Sequence, residues 1–371
     1  MRFAISIPQR YPGGTFDPAA FAAYLARAEE LGFDSAWAME QVLGASPRLG
    51  ALEAMTFAAA CTGRLRIGCS VWVSPLHQPV HLAKSIASLD QLSRGRLEIG
   101  FGTGGRGRPF AAFGITADRL VTRFTEGLQV MKACWTEPEV TIDGQFWRLE
   151  KATMEPKPWQ RPYPPLWLGG SAPAAVQRAA RLADGFFGAG STATADFAAQ
   201  VRVLRGALTG DGRDPDRFPV AKRVYIAVDD DASRARDRMA AALIEVYGEA
   251  FGSRLGPAAV TGPPDACARG LREVAAAGAG LILLTALFDE AAQMERLAAE
   301  VLPALTARSL PAHGTRQPAR GGLKKMAQSI AAGHALVLAH TISPLRLQRA
   351  AVAGRSGHGC APVNSGALSY E

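Results

Sequence analysis

Short apolar runs alternate with longer segments of helical periodicity from residue 1 to about residue 305. The runs predict strands at residues 3–7, 35–39, 65–73, 96–101, 166–168, 185–187, 220–228 and 281–285. Helical spacing is clearest in one segment, where apolar side chains stand at positions 121, 124, 128, 131 and 135. Strands and helices that alternate about eight times predict an α/β fold, with the parallel sheet closed as a (β/α)8 TIM barrel. An open, doubly wound sheet is the alternative.

Two stretches are longer than the loops of such a barrel require. Residues 102–118 are rich in Gly and Arg, and residues 137–165 contain a hairpin signal at 140–147 followed by a proline-rich segment. Insertions into a barrel usually build the mouth of the active site. We therefore expect both insertions at the C-terminal face, where the strands end.

The chain after the last predicted helix differs in composition from the rest. From Arg308 onward there are eight basic residues and one acidic residue, Glu371, so almost all of the net charge of +8 belongs to this part. The sequence therefore predicts a barrel over residues 1–305 and a basic tail rich in Ala, Gly and Ser over residues 306–371, disordered or loosely packed. The tail has only Tyr370 for base stacking, so we do not expect a nucleic-acid partner.

Composition narrows the class of protein further. With 371 residues, of which 48% are hydrophobic and 20% charged, the chain can bury a large core. No run of about 18 apolar residues occurs, and the amino terminus does not resemble a signal peptide, so we expect a cytoplasmic protein without a membrane partner. The five cysteines form no CxxC pair, and the predicted barrel has only His77 and His81, so no metal site is predicted.

Barrel geometry selects the loops that can carry chemistry, because loops after strands open on the catalytic face. Residues 100–105 follow this rule and match the G-x-G-x-x-G string of dinucleotide-binding domains, yet no helical pattern opens after them and no acid follows at the expected distance. We interpret these glycines as a backbone surface for a flat ligand, with Thr103 supplying a hydroxyl. A loop without a ligand is the alternative.

The segment 168–171, Leu-Gly-Gly-Ser, has the features of a phosphate-binding turn. A strand end passes through two residues without side chains into a helix predicted from Ala172, whose free N–H groups would point at the mouth. Ser171 could cap this helix or bind the anion. An ordinary Gly-Gly turn with a serine N-cap is the alternative.

Four ordered blocks resemble one known family: HLAK with SLDQLSRGRL, GFGTGG, KPWQRP with PPLWLGG, and RAARLADG. Over roughly residues 1–305 the chain is similar to the bacterial luciferase-like flavin- and deazaflavin-dependent oxidoreductases. The resemblance implies a (β/α)8 barrel, a homo-oligomer, a flavin or deazaflavin ring over the strand ends, and a non-prolyl cis peptide at Ser70-Val71. Carried over residue by residue, it places cofactor contacts at Glu40, Ser70, Val71, Val73, Gly102, Thr103, Gly104, Gly169 and Gly170, with Ser171 at the phosphate.

This chain departs from the family pattern at the proton-transfer group. The family usually has an acid followed by His after the second strand, where this chain has Glu40-Gln41, and glutamine cannot titrate. The candidate catalytic residues are therefore Glu40, Gln41 and His77, since histidine titrates near neutral pH. A hydrogen-bonded loop residue is the alternative for His77. Gly105 stands where sugar-phosphate-oxidising members often have an acid, which argues against a sugar-phosphate substrate. Trp72 could line the substrate pocket or pack outside the barrel.

The leading functional hypothesis is an FMN-dependent monooxygenase that acts on a small organic substrate and receives reduced flavin from a separate flavin reductase. Hydride transfer with coenzyme F420 is the alternative, and Glu rather than Asp at position 40 favours FMN slightly. A non-catalytic flavin-binding barrel is a further alternative, suggested by the missing histidine beside Glu40.

Overall fold

The apolar runs form the strands of a closed barrel in the computed structural model, which describes residues 1–44, 46–104, 110–116 and 118–306. The strands are β1 (Arg2–Ser6), β2 (Ser35–Ala38), β3 (Arg66–Val73), β4 (Leu97–Gly102), β5 (Val140–Asp143), β6 (Arg148–Ala152), β7 (Leu166–Gly169), β8 (Gly185–Gly188), β9 (Val220–Val228), β10 (Val260–Gly262) and β11 (Leu281–Thr285). The helices are α1 (Pro18–Glu30), α2 (Ala51–Cys61), α3 (Pro79–Ser93), α4 (Leu120–Thr136), α5 (Pro173–Leu182), α6 (Thr194–Gly210), α7 (Ala232–Tyr247), α8 (Glu249–Gly252), α9 (Pro264–Ala276), α10 (Glu290–Arg296) and α11 (Pro303–Thr306).

Eight parallel strands close the barrel in the order β1-β2-β3-β4-β7-β8-β9-β11, and β11 pairs again with β1. The predicted TIM barrel is therefore confirmed, and the open sheet is excluded. The short strand β10 was not predicted; it has three residues and pairs only with the last residues of β9. Residues 307–371 lie outside the described residues, so the boundary at 305 and the loose order of the tail stay predictions.

The second insertion departs from the expected position. Residues 137–165 join α4 to β7, so both ends lie at the face where strands begin, whereas the predicted hairpin β5–β6 is present. The tip of the hairpin does reach the first turns of α3 and α4: the Trp147 indole donates to Gln78 Oε1 at 3.3 Å, and the Arg123 guanidinium lies 4.8 Å from the Trp147 ring centroid. The hairpin thus packs on the outside of the barrel, and its tip contacts the ends of α3 and α4 that lie near the mouth.

Two apolar layers hold the barrel and leave space at one end. One layer fills the gap between strands and helices, and it includes Trp72, which is 1% exposed and packs 6.0 Å from Phe101. The open question about Trp72 is thereby answered in favour of outer packing. A second cluster inside the barrel is built around Trp37, with the Phe187 and Trp167 rings 4.9 and 6.2 Å away. These rings form a floor beneath the carboxyl ends of the strands.

None of the helices in the described part of the chain is both long enough and apolar enough to span a membrane. The cytoplasmic location stays a prediction.

Candidate active site

Glu40 and His77 meet at the carboxyl ends of two neighbouring strands. Glu40 lies two residues after β2, and His77 follows a single helical turn after β3. His77 Nε2 lies 2.7 Å from Glu40 Oε1, and the backbone N–H of Val73 donates to Glu40 Oε2 at 2.7 Å. Glu40 is only 7% exposed, whereas the His77 side chain is 30% exposed. A buried carboxylate therefore orients an imidazole that remains accessible from the mouth.

Gln41 lies beside this pair and faces a neighbouring cavity of about 290 Å³, which it lines with Tyr11, Val42, Pro47 and Arg48 among others. Its predicted contact with a reacting ring stays a prediction.

The cis peptide bond expected from the resemblance is present between Ser70 and Val71, at a bulge where the pairing of β3 with β4 shifts register. Arg223 crosses from β9 to this bulge, and its Nη2 donates to the carbonyl and the hydroxyl of Ser70, both at 2.7 Å. A Cβ atom on Gly100 in β4 would lie 2.1 Å from the Cys69 carbonyl oxygen, so β4 can pass the bulge only with glycine there.

Val71 stands between two glycines on the adjacent strands. A Cβ atom on Gly102 would lie 2.8 Å from Val71 Cγ2, and one on Gly169 would lie 3.5 Å from Val71 Cγ1. A side chain at either position would cover Val71. Because both positions are glycine, the Val71 side chain is flanked on each side by backbone alone. This surface, formed by Val71, Gly102 and Gly169, fits the flat ring of a flavin or deazaflavin.

Three of the other predicted contact residues have partners of their own. Thr103 Oγ1 donates to the Gly104 carbonyl at 3.3 Å, and Gly104 adopts a positive φ of 72°. The Val73 side chain is 3% exposed and packs with Phe110 and Ile115, so it contributes its N–H to Glu40 rather than an open surface. Residues 105–109 lie outside the described residues.

The predicted phosphate turn lies at the edge of a cavity of about 450 Å³ between α5 and α6. The helix α5 begins at Pro173 with Ala172 as its N-cap and no side-chain cap, so the alternative in which Ser171 caps the helix is excluded. Ser171 is exposed, and its carbonyl accepts from Gln200 Nε2 at 3.3 Å. Gln200 Oε1 is buried and has no hydrogen-bond partner among the described residues. Pro173 has no N–H, and the Ala175 N–H donates to the Ala172 carbonyl at 2.9 Å, so in the first turn of α5 only the Ala174 N–H is without a partner among the described residues.

Gly170 has a different structural role from the expected one. It does not adopt a positive φ, and a Cβ atom built on it would lie 2.5 Å from Ala175 Cβ in α5. Glycine at this position is thus required first for close packing of the turn on its helix.

The sequence analysis missed a lysine and an arginine that are adjacent in β9. Lys222 is 2% exposed, and its ammonium donates to the carbonyls of Ala189 and Arg223. Burial, and secondarily the charge of Arg223, lowers the pKa of Lys222 to about 7. Because Ala189 directly follows β8, Lys222 fixes the turn that lines the cavity beside α6. Two consecutive charges inside the apolar run 220–228 were the signal that could have found them.

Comparison with known proteins gives the family of this chain. The profile of the luciferase-like monooxygenases matches residues 1–330. The chain belongs to this family.

Individual relatives divide between two cofactors. The chain is 28% identical over 210 residues to the FMNH2-dependent dimethylsulfone monooxygenase of Pseudomonas putida, covering 55% of this chain and 56% of that one. It is 29% identical over 233 residues to the F420-dependent glucose-6-phosphate dehydrogenase of Kineococcus radiotolerans, covering 59% and 67%. A ketoreductase for phthiodiolone and phenolphthiodiolone dimycocerosates from a Mycobacterium species is 27% identical over 188 residues, 50% of this chain and 49% of that one. The matches thus span about half to two thirds of these relatives.

Among solved structures, monooxygenase RslO1 from Streptomyces bottropensis superposes with a TM-score of 0.71 at 24% identity, covering 82% of this chain and 100% of that chain. This likeness shows the fold. Among the described residues, no group of three or more His, Cys, Asp or Glu side chains is arranged to hold a metal ion.

Proposed function

We propose that this luciferase-like protein is an FMN-dependent monooxygenase that oxidises a small organic substrate, using reduced FMN delivered by a separate flavin reductase. The observation that carries the proposal is the Glu40–His77 pair, 2.7 Å apart at the edge of the surface formed by Val71, Gly102 and Gly169. His77 supplies, from the third strand, the imidazole that Gln41 fails to supply after the second. This replacement argues against a non-catalytic flavin-binding barrel.

In this proposal the residues of the mouth hold the cofactor from two sides. Val71, between Gly102 and Gly169, would hold the ring, and Arg223 fixes the neighbouring Ser70 through its carbonyl and hydroxyl. The Gly169-Gly170-Ser171 turn would hold the phosphate, and the Ala174 N–H in the first turn of α5 would donate to it, since no side chain caps this helix.

Reduced FMN, when bound, supplies two electrons, so that one atom of O2 enters the substrate and the other leaves as water. The leaving oxygen needs a proton, and the His77 imidazole at the mouth can deliver it. Glu40 fixes the orientation of the His77 ring, because its second carboxylate oxygen is itself held by the Val73 N–H.

The second candidate is hydride transfer with coenzyme F420, and two of the relatives described above support it by cofactor or by reaction. The same surface would accept a deazaflavin ring, and the same pair would exchange a proton with the substrate oxygen. The departure at Gly105 argues only against sugar phosphates.

One experiment separates the two reactions. The full chain is incubated with a panel of short-chain ketones, sulfones and carboxylic acids, either with reduced FMN under ¹⁸O2 or with reduced F420 without oxygen. The proposal expects a product that contains one ¹⁸O atom. Anaerobic oxidation of reduced F420 with reduction of a panel compound, and no ¹⁸O product, would replace it with the hydride-transfer candidate.

A further inference from the structure

His77 lies in a short connection between β3 and α3. A single helical turn covers Ser74–Leu76, and α3 begins at Pro79, which leaves His77 and Gln78 between the two helical elements. Gln78 is the N-cap residue of α3, yet its side chain makes no capping hydrogen bond within the described chain. The Gln78 amide is therefore available for a contact outside the helix.

Two side chains from outside the connection bind it on either side of His77. Before His77, the Pro75 carbonyl accepts a hydrogen bond from Arg123 Nε at 3.4 Å. After it, Gln78 Oε1 accepts from the Trp147 indole at 3.3 Å. The Arg123 guanidinium lies 4.8 Å from the Trp147 ring centroid, so the two contacts are also joined to each other by a cation–π interaction.

The tip of the inserted hairpin is itself fixed on α4. Glu126 in α4 accepts hydrogen bonds from the three backbone N–H groups of residues 145–147, at 2.8–3.1 Å. A Cβ atom on Gly127 would lie 3.1 Å from Trp147 Cη2 and 3.8 Å from Pro79 Cβ, so the indole fills the gap between α4 and the start of α3. The hairpin thus presents Trp147 to the connection from a fixed position.

We propose that Trp147 and Arg123 are positioning residues for His77, and that the inserted hairpin thereby holds the imidazole at the mouth. This inference rests on the proposed function, in which His77 delivers a proton, and it adds two side chains outside the mouth to that step. A proton donor acts only within hydrogen-bond reach of its target, and a misplacement of about 1 Å can cost about 10²-fold in rate. Contacts before and after His77 restrict the ring to its place beside Glu40.

A double-mutant cycle on the purified full chain tests the proposal. Trp147→Leu removes the indole N–H and the ring beneath the guanidinium. With the substrate from the ¹⁸O2 screen, it should lower kcat about tenfold and change KM by less than about threefold, since the imidazole is displaced but still present. In the His77→Asn background the same substitution should change kcat by less than about twofold, because no imidazole is left to position. An equal loss of kcat in both backgrounds would overturn the proposal.

Two further variants guard against a general loss of structure. Gln78 is exposed, so Gln78→Met removes the acceptor of the indole at little risk to the fold and should lower kcat at least about threefold. Trp159 is 55% exposed and packs on Gly95 at the face where the strands begin, so Trp159→Leu should keep the kcat of the unmodified protein. A loss in Trp159→Leu as large as that in Trp147→Leu would contradict the proposal. Thermal unfolding of each variant verifies that the barrel is intact.

Nuclear magnetic resonance measures the position of the imidazole without substrate or cofactor. In the full chain labelled with ¹⁵N-histidine, the ring signals of His77 are those lost in His77→Asn. Its hydrogen-bonded Nε2–H resonance should be present in the unmodified protein and in Trp159→Leu. It should broaden or disappear in Trp147→Leu, because a looser bond to Glu40 lets the proton exchange faster with water.

Absence of this resonance from the unmodified protein, or an unchanged resonance in Trp147→Leu, would overturn the proposal. Failure to bind FMN and F420 would instead defeat the proposed function, and it would leave the resonance and its response to Trp147→Leu unaffected.

Discussion

His77 Nε2 lies 2.7 Å from Glu40 Oε1 although the two residues are 37 positions apart in the sequence. Their strands, β2 and β3, are neighbours in a parallel sheet, so the residues that follow them meet at one edge. The pair provides a titratable group at the mouth in a chain that has glutamine after Glu40.

Replacing His77 should reduce turnover without preventing cofactor binding. His77→Asn keeps a polar side chain but removes the titratable ring, so we expect turnover to fall about 10²- to 10⁴-fold, the usual contribution of general acid–base catalysis. FMN or F420 affinity should change by less than about threefold. Steady-state kinetics with the substrate from the ¹⁸O2 screen measures the first effect, and calorimetry the second. His81→Asn, on the exposed face of α3, is the control; an equal loss in both variants would contradict the assignment.

The phosphate turn can be tested with a pair of compensating substitutions at Gly170 and Ala175. Because a Cβ atom there would lie 2.5 Å from Ala175 Cβ, Gly170→Ala alone should disturb the turn, whereas Gly170→Ala combined with Ala175→Gly restores the space. We expect the double variant to bind FMN nearly as tightly as the unmodified protein. FMN should also bind at least about tenfold more tightly than riboflavin, which lacks the phosphate. Equal affinities for FMN and riboflavin would show that the turn does not bind phosphate.

Lys222 should make stability depend on alkaline pH. Burial lowers its pKa from the ordinary 10.5 to about 7 in the folded protein, so between these values the unfolded chain binds one proton more than the folded chain. Stability therefore rises with pH over this interval, by roughly 2–5 kcal/mol in total. Urea unfolding from pH 7 to 10 should show the rise in the unmodified protein and in Lys132→Met, and a smaller rise in Lys222→Met. Lys132 also donates to a carbonyl, that of Leu182 at 2.8 Å, which makes it a suitable control.

Glu290 should have the opposite effect in the acidic range. Burial raises its pKa from 4.5 to about 7, so in this window the folded protein holds a proton that the unfolded chain has lost. Stability then falls as pH rises through the window, and Glu290→Gln removes that fall. We expect this variant to gain roughly 1–3 kcal/mol relative to the unmodified protein between pH 4.5 and pH 8. Glu295→Gln, an exposed position in the same helix, should show no such gain; a similar gain there would refute the explanation.

The barrel could be predicted because each of its strands is an apolar run of its own, and all eight were located to within one or two residues. The strand β10 could not, because its three residues carry no period. Trp72 stayed undecided since the bulge at Ser70-Val71 changes the alternation of side chains along β3. The prediction for the β5–β6 hairpin was wrong because it rested on the length of the insertion. The insertion follows a helix and precedes a strand, and such loops lie at the face where strands begin.

Much of the site depends on contacts that a linear reading does not reveal. Gln78 and Trp147 are 69 positions apart and come together because the hairpin tip packs on α4 beside the start of α3. The glycines of β4 and β7 were found from the sequence. The packing that requires glycine at position 170 was not, since it depends on contact with Ala175 in the first turn of α5.

The most direct test of the central claim is calorimetric titration of the purified full chain with FMN, coenzyme F420 and NAD. Gly100 and Gly102 lie in the barrel strand β4 and not in the turn of a dinucleotide-binding domain, and the surface around Val71 fits a flat tricyclic ring. We predict binding of FMN, or of F420, at micromolar or lower concentration and no comparable binding of NAD. Micromolar binding of NAD without affinity for either ring system would contradict the account.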